Sequence, residues 1–226
     1  ESSRKLFLSG QHTIPSDTVC YPAKLVHGHV LNLLDKGVDF VFYPCESYNI
    51  DEDHSDNHYN CPVVAYYPEL LRANTAELNK DNFIYPYIDM NRPHNIASAI
   101  VKSLAKYKIK PREAEKAVEK GFAALKEFHS AVVKKGQELI SFARERNLPI
   151  VVLAGRPYHI DPEINHGVQK LIASLGVVSV SEDAVSDFAD TPALGVLNQW
   201  TYHSRLYRAA AFVAGQKDMN LVQLVS

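Results

Sequence analysis

Apolar and polar positions along this chain fall into blocks whose period changes several times. Leu6-Phe-Leu-Ser-Gly10 is a short apolar run that reads as a buried strand, followed by a turn-rich loop from Gln11 to Val19. Pro22 stands at a first helical position, and behind it Leu25, Val26, His29, Val30, Leu33 and Leu34 recur at helical spacing, with Gly37 as the stop. Asp39-Phe-Val-Phe-Tyr43 is a continuous apolar strand, of the kind that parallel sheets cover on both faces. The stretch from Pro44 to Asn60 is polar and irregular, and loops of that length are often functional. Val63-Val-Ala-Tyr-Tyr67 and Phe83-Ile-Tyr-Pro-Tyr-Ile88 read as strand-like or extended.

The middle of the chain is helical in pattern. Asn95 can cap a helix through about Tyr107, and Pro111 opens a much longer one to about Arg146, striped by Val118, Phe122, Leu125, Val132 and Leu139. Leu148 to Ala154 then starts a second strand–loop–helix unit. Its loop is Gly155-Arg-Pro-Tyr-His-Ile-Asp-Pro162, its helix runs from about Glu163 to Leu175, and Val177 to Val180 is the next strand. A helix over Leu197–Ala214 and a strand over Asn220–Val225 close the pattern. The sum predicts an α/β protein: two Rossmann- or flavodoxin-like lobes with mostly parallel sheets linked by long helices. The expected division is a cysteine-bearing lobe over 1–94, a helical bridge over 95–147 and a second lobe over 148–226. The chain lacks an initiator Met and stops on a strand-like run, so it reads as an excised segment whose second lobe is truncated at its C-terminus.

Composition narrows the classes of function. The 226 residues carry a formal charge of −2 and are 46% hydrophobic, enough for one large core or two small ones. A near-neutral charge argues against nucleic acid as a partner, because phosphate binding is driven by clustered Lys and Arg. No apolar run approaches the roughly 20 residues that cross a bilayer, and no signal-peptide pattern opens the chain. The expectation is a cytoplasmic protein with no nucleic-acid or membrane partner. The three cysteines are an odd number that cannot pair fully into disulfides, which fits a reducing compartment.

Those cysteines, Cys20, Cys45 and Cys61, lie in the first third of the chain, each near a proline at the end of a predicted element. Loops outside the carboxyl ends of parallel strands are where open α/β sheets build sites. Thiolates ligate both zinc and iron–sulfur clusters. No Cys-x-x-Cys pair is present, so convergence would have to come from the fold. A cluster, a structural zinc site and three buried free thiols all remain open on spacing alone. Lys24, His27 and His29 follow Cys20 within the first helix, where they could offset anionic charge or meet a substrate. The acidic, His-containing loop Asn49–His58 lacks the glycine and spacing of an EF-hand and reads as a solvated segment placed to act as a lid. Arg156 and His159 follow a strand and precede a helix, where backbone amides bind anions. The polar and aromatic residues from Asn198 to Arg208 read as a helix packing against chain outside this segment.

Four strings carry a family resemblance: Cys20-Tyr-Pro-Ala-Lys-Leu-Val-His-Gly-His29, Tyr43-Pro-Cys-Glu-Ser-Tyr48, Asn57-His-Tyr-Asn-Cys-Pro-Val-Val-Ala-Tyr-Tyr67 and Leu153-Ala-Gly-Arg-Pro-Tyr-His-Ile-Asp-Pro-Glu-Ile-Asn-His-Gly167. From about Leu6 to its end the chain resembles CoA-substrate-specific enzyme activases, in the part similar to 2-hydroxyacyl-CoA dehydratase subunits and double-cubane cluster proteins. The resemblance implies a [4Fe–4S] cluster held by three cysteines, which here would be Cys20, Cys45 and Cys61. It also implies low-potential electron transfer from an ATP-binding activase domain on the same natural polypeptide, and an acyl-CoA substrate. Lys24, His27, His29, Arg156 and His159 are the candidates for substrate or anion contacts. The segment lacks the second subunit of a full dehydratase and is expected to be inactive alone. The alternative is a docking module that holds an activase domain against a dehydratase and binds no cofactor.

Overall fold

Ser3 starts the chain as a helix rather than a strand. In the computed structural model, which describes residues 1–52 and 54–225, the Ser3 side chain accepts from the Leu6 amide at 3.2 Å and caps α1, Arg4–Gly10. This corrects the strand expected at Leu6–Gly10: a short apolar run has no period long enough to separate the two structures. α2, Tyr21–Asp35, packs closely on α1. A Cβ on Gly28 would lie 2.0 Å from the Leu6 carbonyl oxygen, so only glycine allows the two backbones this approach. Gly37, at φ +71°, ends α2 as expected.

The chain divides into two compact units, one of Glu1–Ile50 with Tyr59–Gly121 and one of Asp51–His58 with Phe122–Ser226. In the first, β1 (Val41–Phe42) pairs in parallel with β3 (Phe83–Ile84), and β2 (Cys45–Tyr48) with β4 (Tyr87–Asp89). Pro44 and Pro86 stand at matching places between these pairs and have no N–H for the ladder, which breaks the ribbon into two short sheets. The segment expected to be loop from Pro44 onward therefore begins with a strand. Val63–Tyr67, expected to be extended, lies in a helix, α3, Pro62–Asn74, with Cys61 as its N-cap. α4, Pro93–Ser103, follows. Ala23, Val30, Val41, Tyr67, Leu71 and Phe83 form the core, with Cys20 and Tyr43 packed against it.

Helix α5, Pro111–Glu145, contributes Pro111–Gly121 to the first unit and its remainder to the second. There β5 (Ile150–Ala154) is the central strand of a three-stranded parallel sheet, flanked by β6 (Val178–Ser181) and β7 (Met219–Gln223). α6, Val168–Ser174, connects β5 to β6, and its start lies five residues later than expected because turns occupy Asp161 to Gly167. α7, Thr201–Ala214, leads from β6 to β7. Ile140, Ala143, Ile150, Val152, Val180 and Val213 fill the core. Each of these Ile and Val chains stabilises the fold by about 1.5–3 kcal/mol when fully buried, before the entropy of ordering it. The architecture is α/β with parallel strand pairing throughout the named strands.

The described part of the acidic loop is not a solvated lid. Glu52 pairs with Arg205 and, at 2.7 Å, with Arg208, whose side chain is only 1% exposed. The His54 carbonyl accepts from Thr191 at 2.7 Å and Ser204 at 2.9 Å, and Asp56 accepts from the Asn198 amide at 2.8 Å. The polar face of α7 thus packs on this chain's own acidic segment. Asp53 of that loop lies outside the described residues. Among the described residues, no helix is long and apolar enough to cross a membrane.

Candidate functional site

All three cysteines are free and fall in the first unit. Cys20 and Cys61 occupy the same kind of place. Each is the N-cap of a helix, α2 or α3, each is followed by Pro in the first turn, and neither cap is closed by a side-chain hydrogen bond. A helix start presents unpaired amide N–H groups and the positive end of the helix dipole to whatever the sulfur holds.

Cys45 differs. It opens β2 and is fully buried. Burial and then the Glu69 carboxylate push its thiol up, against the opposing Tyr87 hydroxyl and Glu69 backbone amide. Tyr87 Oη donates its one hydrogen to Glu69 Oε1 at 2.6 Å. Glu69 follows Pro68, which interrupts α3 from within and offers no N–H of its own. Asn60, beside Cys61, ties the backbones together: its amide donates to Ser47 O at 3.0 Å and its side chain to Glu46 O at 3.1 Å.

Two tyrosines, the buried Tyr67 and the partly buried Tyr43, connect the thiols electrostatically. Burial, then Cys20 and Tyr43, push Tyr67 up to about 12, while burial and then Cys45 push Tyr43 up to about 12. Both phenols therefore stay protonated at any physiological pH. Tyr67 is the end of a closed hydrogen-bond chain. Thr13 Oγ1 donates to Gly10 O at 2.9 Å, so it accepts from His27 Nδ1 at 2.7 Å, which leaves Nε2 to accept from Tyr67 Oη at 2.9 Å. Burial, and then His12, lower His27 to about 4, so this imidazole is neutral and committed to the core.

The remaining candidates are scattered. Lys24 Nζ donates to the Asp17 carbonyl at 2.7 Å, and His29 Nε2 lies 3.1 Å from Ser2 Oγ. Arg156 and His159 stand in the second unit, after β5, on the wall of a cleft shared with Gln169 and Glu182. Sequence reasoning missed Gln169, Glu182 and Glu52. An acidic residue directly after a parallel strand was a usable signal for Glu182, whereas nothing around Gln169 distinguished it.

The donor chemistry in the first unit fits a thiophilic group in kind, with three unpaired thiols in one compact body. The arrangement is not a closed ligand shell: among the described residues, no group of three or more His, Cys, Asp or Glu stands close enough to hold a metal ion.

Comparison with curated proteins and with solved structures returns no match. A family model described as the CoA enzyme activase uncharacterised domain matches residues 1–185, most of the chain and all three cysteines. With that span covered, the chain belongs to the CoA enzyme activase uncharacterised domain family.

Proposed function

We propose that the chain is the cysteine-bearing component of a CoA enzyme activase system, with Cys20, Cys45 and Cys61 as ligands of a [4Fe–4S] cluster. One observation carries the reading: the three free thiols lie in one unit, two at open helix N-caps and the third at the start of β2, whose backbone Asn60 ties to the Cys61 cap. Such a cluster supplies one-electron chemistry at low potential, here between an ATP-binding activase domain of the same natural polypeptide and an acyl-CoA substrate. This chain's own part is to present the sulfurs, to keep Tyr43 and Tyr67 protonated beside them, and to exclude water around Cys45. Free thiols suit a cytoplasmic setting.

A second reading, a docking module without cofactor, draws on a different observation. Tyr66, Leu70 and Tyr87 leave 50%, 44% and 50% of their surface exposed on the same unit. Anaerobic reconstitution with iron and sulfide separates the two. About four irons per chain in the wild type, lost with the visible charge-transfer absorption in Cys45→Ser, is expected. No bound iron in either protein would leave docking as the function.

A further inference from the structure

We propose that the cleft at the C-terminal edge of the second unit's sheet is a binding site for a small apolar α-amino acid, its carboxylate on Arg156 and His159 and its ammonium on Glu182 and Gln169.

The cleft encloses about 200 Å³ and is lined by residues that follow all three strands: Gly155 and Arg156 after β5, Glu182 after β6 and Leu224 after β7. β5 is central, and the chain returns from β6 to its other side as β7, the kind of switch at which open α/β sheets bind ligands.

Two buried polar atoms on the cleft wall lack partners. The Arg156 amide donates to His159 Nδ1 at 2.8 Å, so the imidazole proton sits on Nε2. That Nε2–H has no acceptor, although His159 is only 7% exposed. A buried donor without an acceptor is rare and costly, and here it marks the place for an anionic or carbonyl oxygen. Gln169 Oε1 is the converse, a buried acceptor without a donor. The imidazole reaches this place only because residue 155 is glycine: a Cβ there would lie 2.6 Å from His159 Nδ1.

Charge selects the ligand further. Arg156 lines the same cleft and brings a guanidinium, 3.5 Å from His203 Nε2, whose charge and fork suit a carboxylate. Glu182, 6% exposed, puts a carboxyl into the same cleft, where the Gly155 amide contacts it. A dianion would meet that carboxyl unfavourably, whereas an ammonium would hold it ionised and also supply the donor that Gln169 lacks. Burial, with Asp183 next, pushes Glu182 up to about 7, so the unliganded cleft carries a carboxyl poised between its two forms. Leu153, Val180 and Leu224 give the cleft its apolar wall.

The test uses the full chain titrated with L-valine, with 3-methylbutanoate (the same molecule without its ammonium), and with inorganic phosphate, followed by backbone amide shifts. Valine is expected to shift Gly155, His159 and Gln169 saturably and to bind roughly tenfold or more tighter than 3-methylbutanoate. In Glu182→Gln that preference should shrink to about threefold or less, and Gln169→Leu should reduce it in the same direction. Arg156→Gln should remove binding of both compounds while the rest of the amide spectrum stays in place. No saturable shift, a shift unchanged in all three variants, or phosphate binding tighter than valine would each overturn the assignment.

Discussion

His27 in the first unit and His159 in the second are both buried imidazoles lowered below their ordinary pKa by burial, yet their surroundings differ. His27 is closed on both sides, by Thr13 and Tyr67, and serves the core. His159 is closed on one side only, by the Arg156 amide, and its other nitrogen is left without a partner on a cleft wall. A fully satisfied polar network fixes a unique packing, whereas a polar atom left unpartnered on the wall of a cleft is open to a bond from a ligand. The contrast also separates two kinds of chemistry: in the first unit the open groups are sulfurs at helix caps, and in the second they are hydrogen-bonding atoms at a sheet edge.

The largest expected effect tests whether the two units hold together independently. Arg208→Leu removes the buried cation between Glu52, which keeps Arg205, and Asp187, which keeps His129, and should destabilise the second unit by about 3 kcal/mol. Amide exchange read unit by unit should show the loss after Phe122 and in Asp51–His58. Equal loss of protection on α1 and α2 would show that the units share one cooperative transition.

A smaller effect has opposite signs in the two units. His27 titrates near 4 when folded and 6.5 when unfolded, so its contribution is complete above pH 6.5 and is lost as pH falls toward 4. Glu182 titrates near 7 when folded and 4.5 when unfolded, so the folded form holds the proton longer and stability is lost as pH rises from 4.5 to 7. Each effect is at most about 3 kcal/mol, because a tenfold change in proton affinity is worth about 1.4 kcal/mol. Exchange measured across pH 4–7.5 should therefore weaken the first unit in acid and the second toward neutrality. Glu182→Gln should flatten only the second trend; a trend that persists in this variant would assign it to another group.

The smallest effect sharpens the histidine comparison itself. Tyr67→Phe removes the donor to His27 Nε2 and leaves a buried acceptor unpaired, a loss of about 1–2 kcal/mol in the first unit. Denaturant midpoints measure it, and a neutral result would mean that water enters the site and replaces the phenol.

The sequence pattern made α2, α5, β5 and β7 legible, because each carries either a long amphipathic period or a flanking stop such as Gly37. It misread Leu6–Gly10 and Val63–Tyr67 as extended. A run of five residues fits either period, and what decided was the Ser3 cap in one case and the Cys61–Pro62 helix start in the other. The acidic loop was misread for a related reason: Glu52 looks like any solvated carboxylate until Arg205 and Arg208 stand beside it.

The sequence by itself determined the α/β class, the family and the three candidate thiols, because those rest on local periods and contiguous strings. Only the tertiary structure decided that Cys45 is buried beside Glu69, and that an imidazole and an amide are left unpartnered in one cleft. These facts depend on contacts between residues far apart in the chain. No local pattern encodes whether a buried polar atom finds its partner.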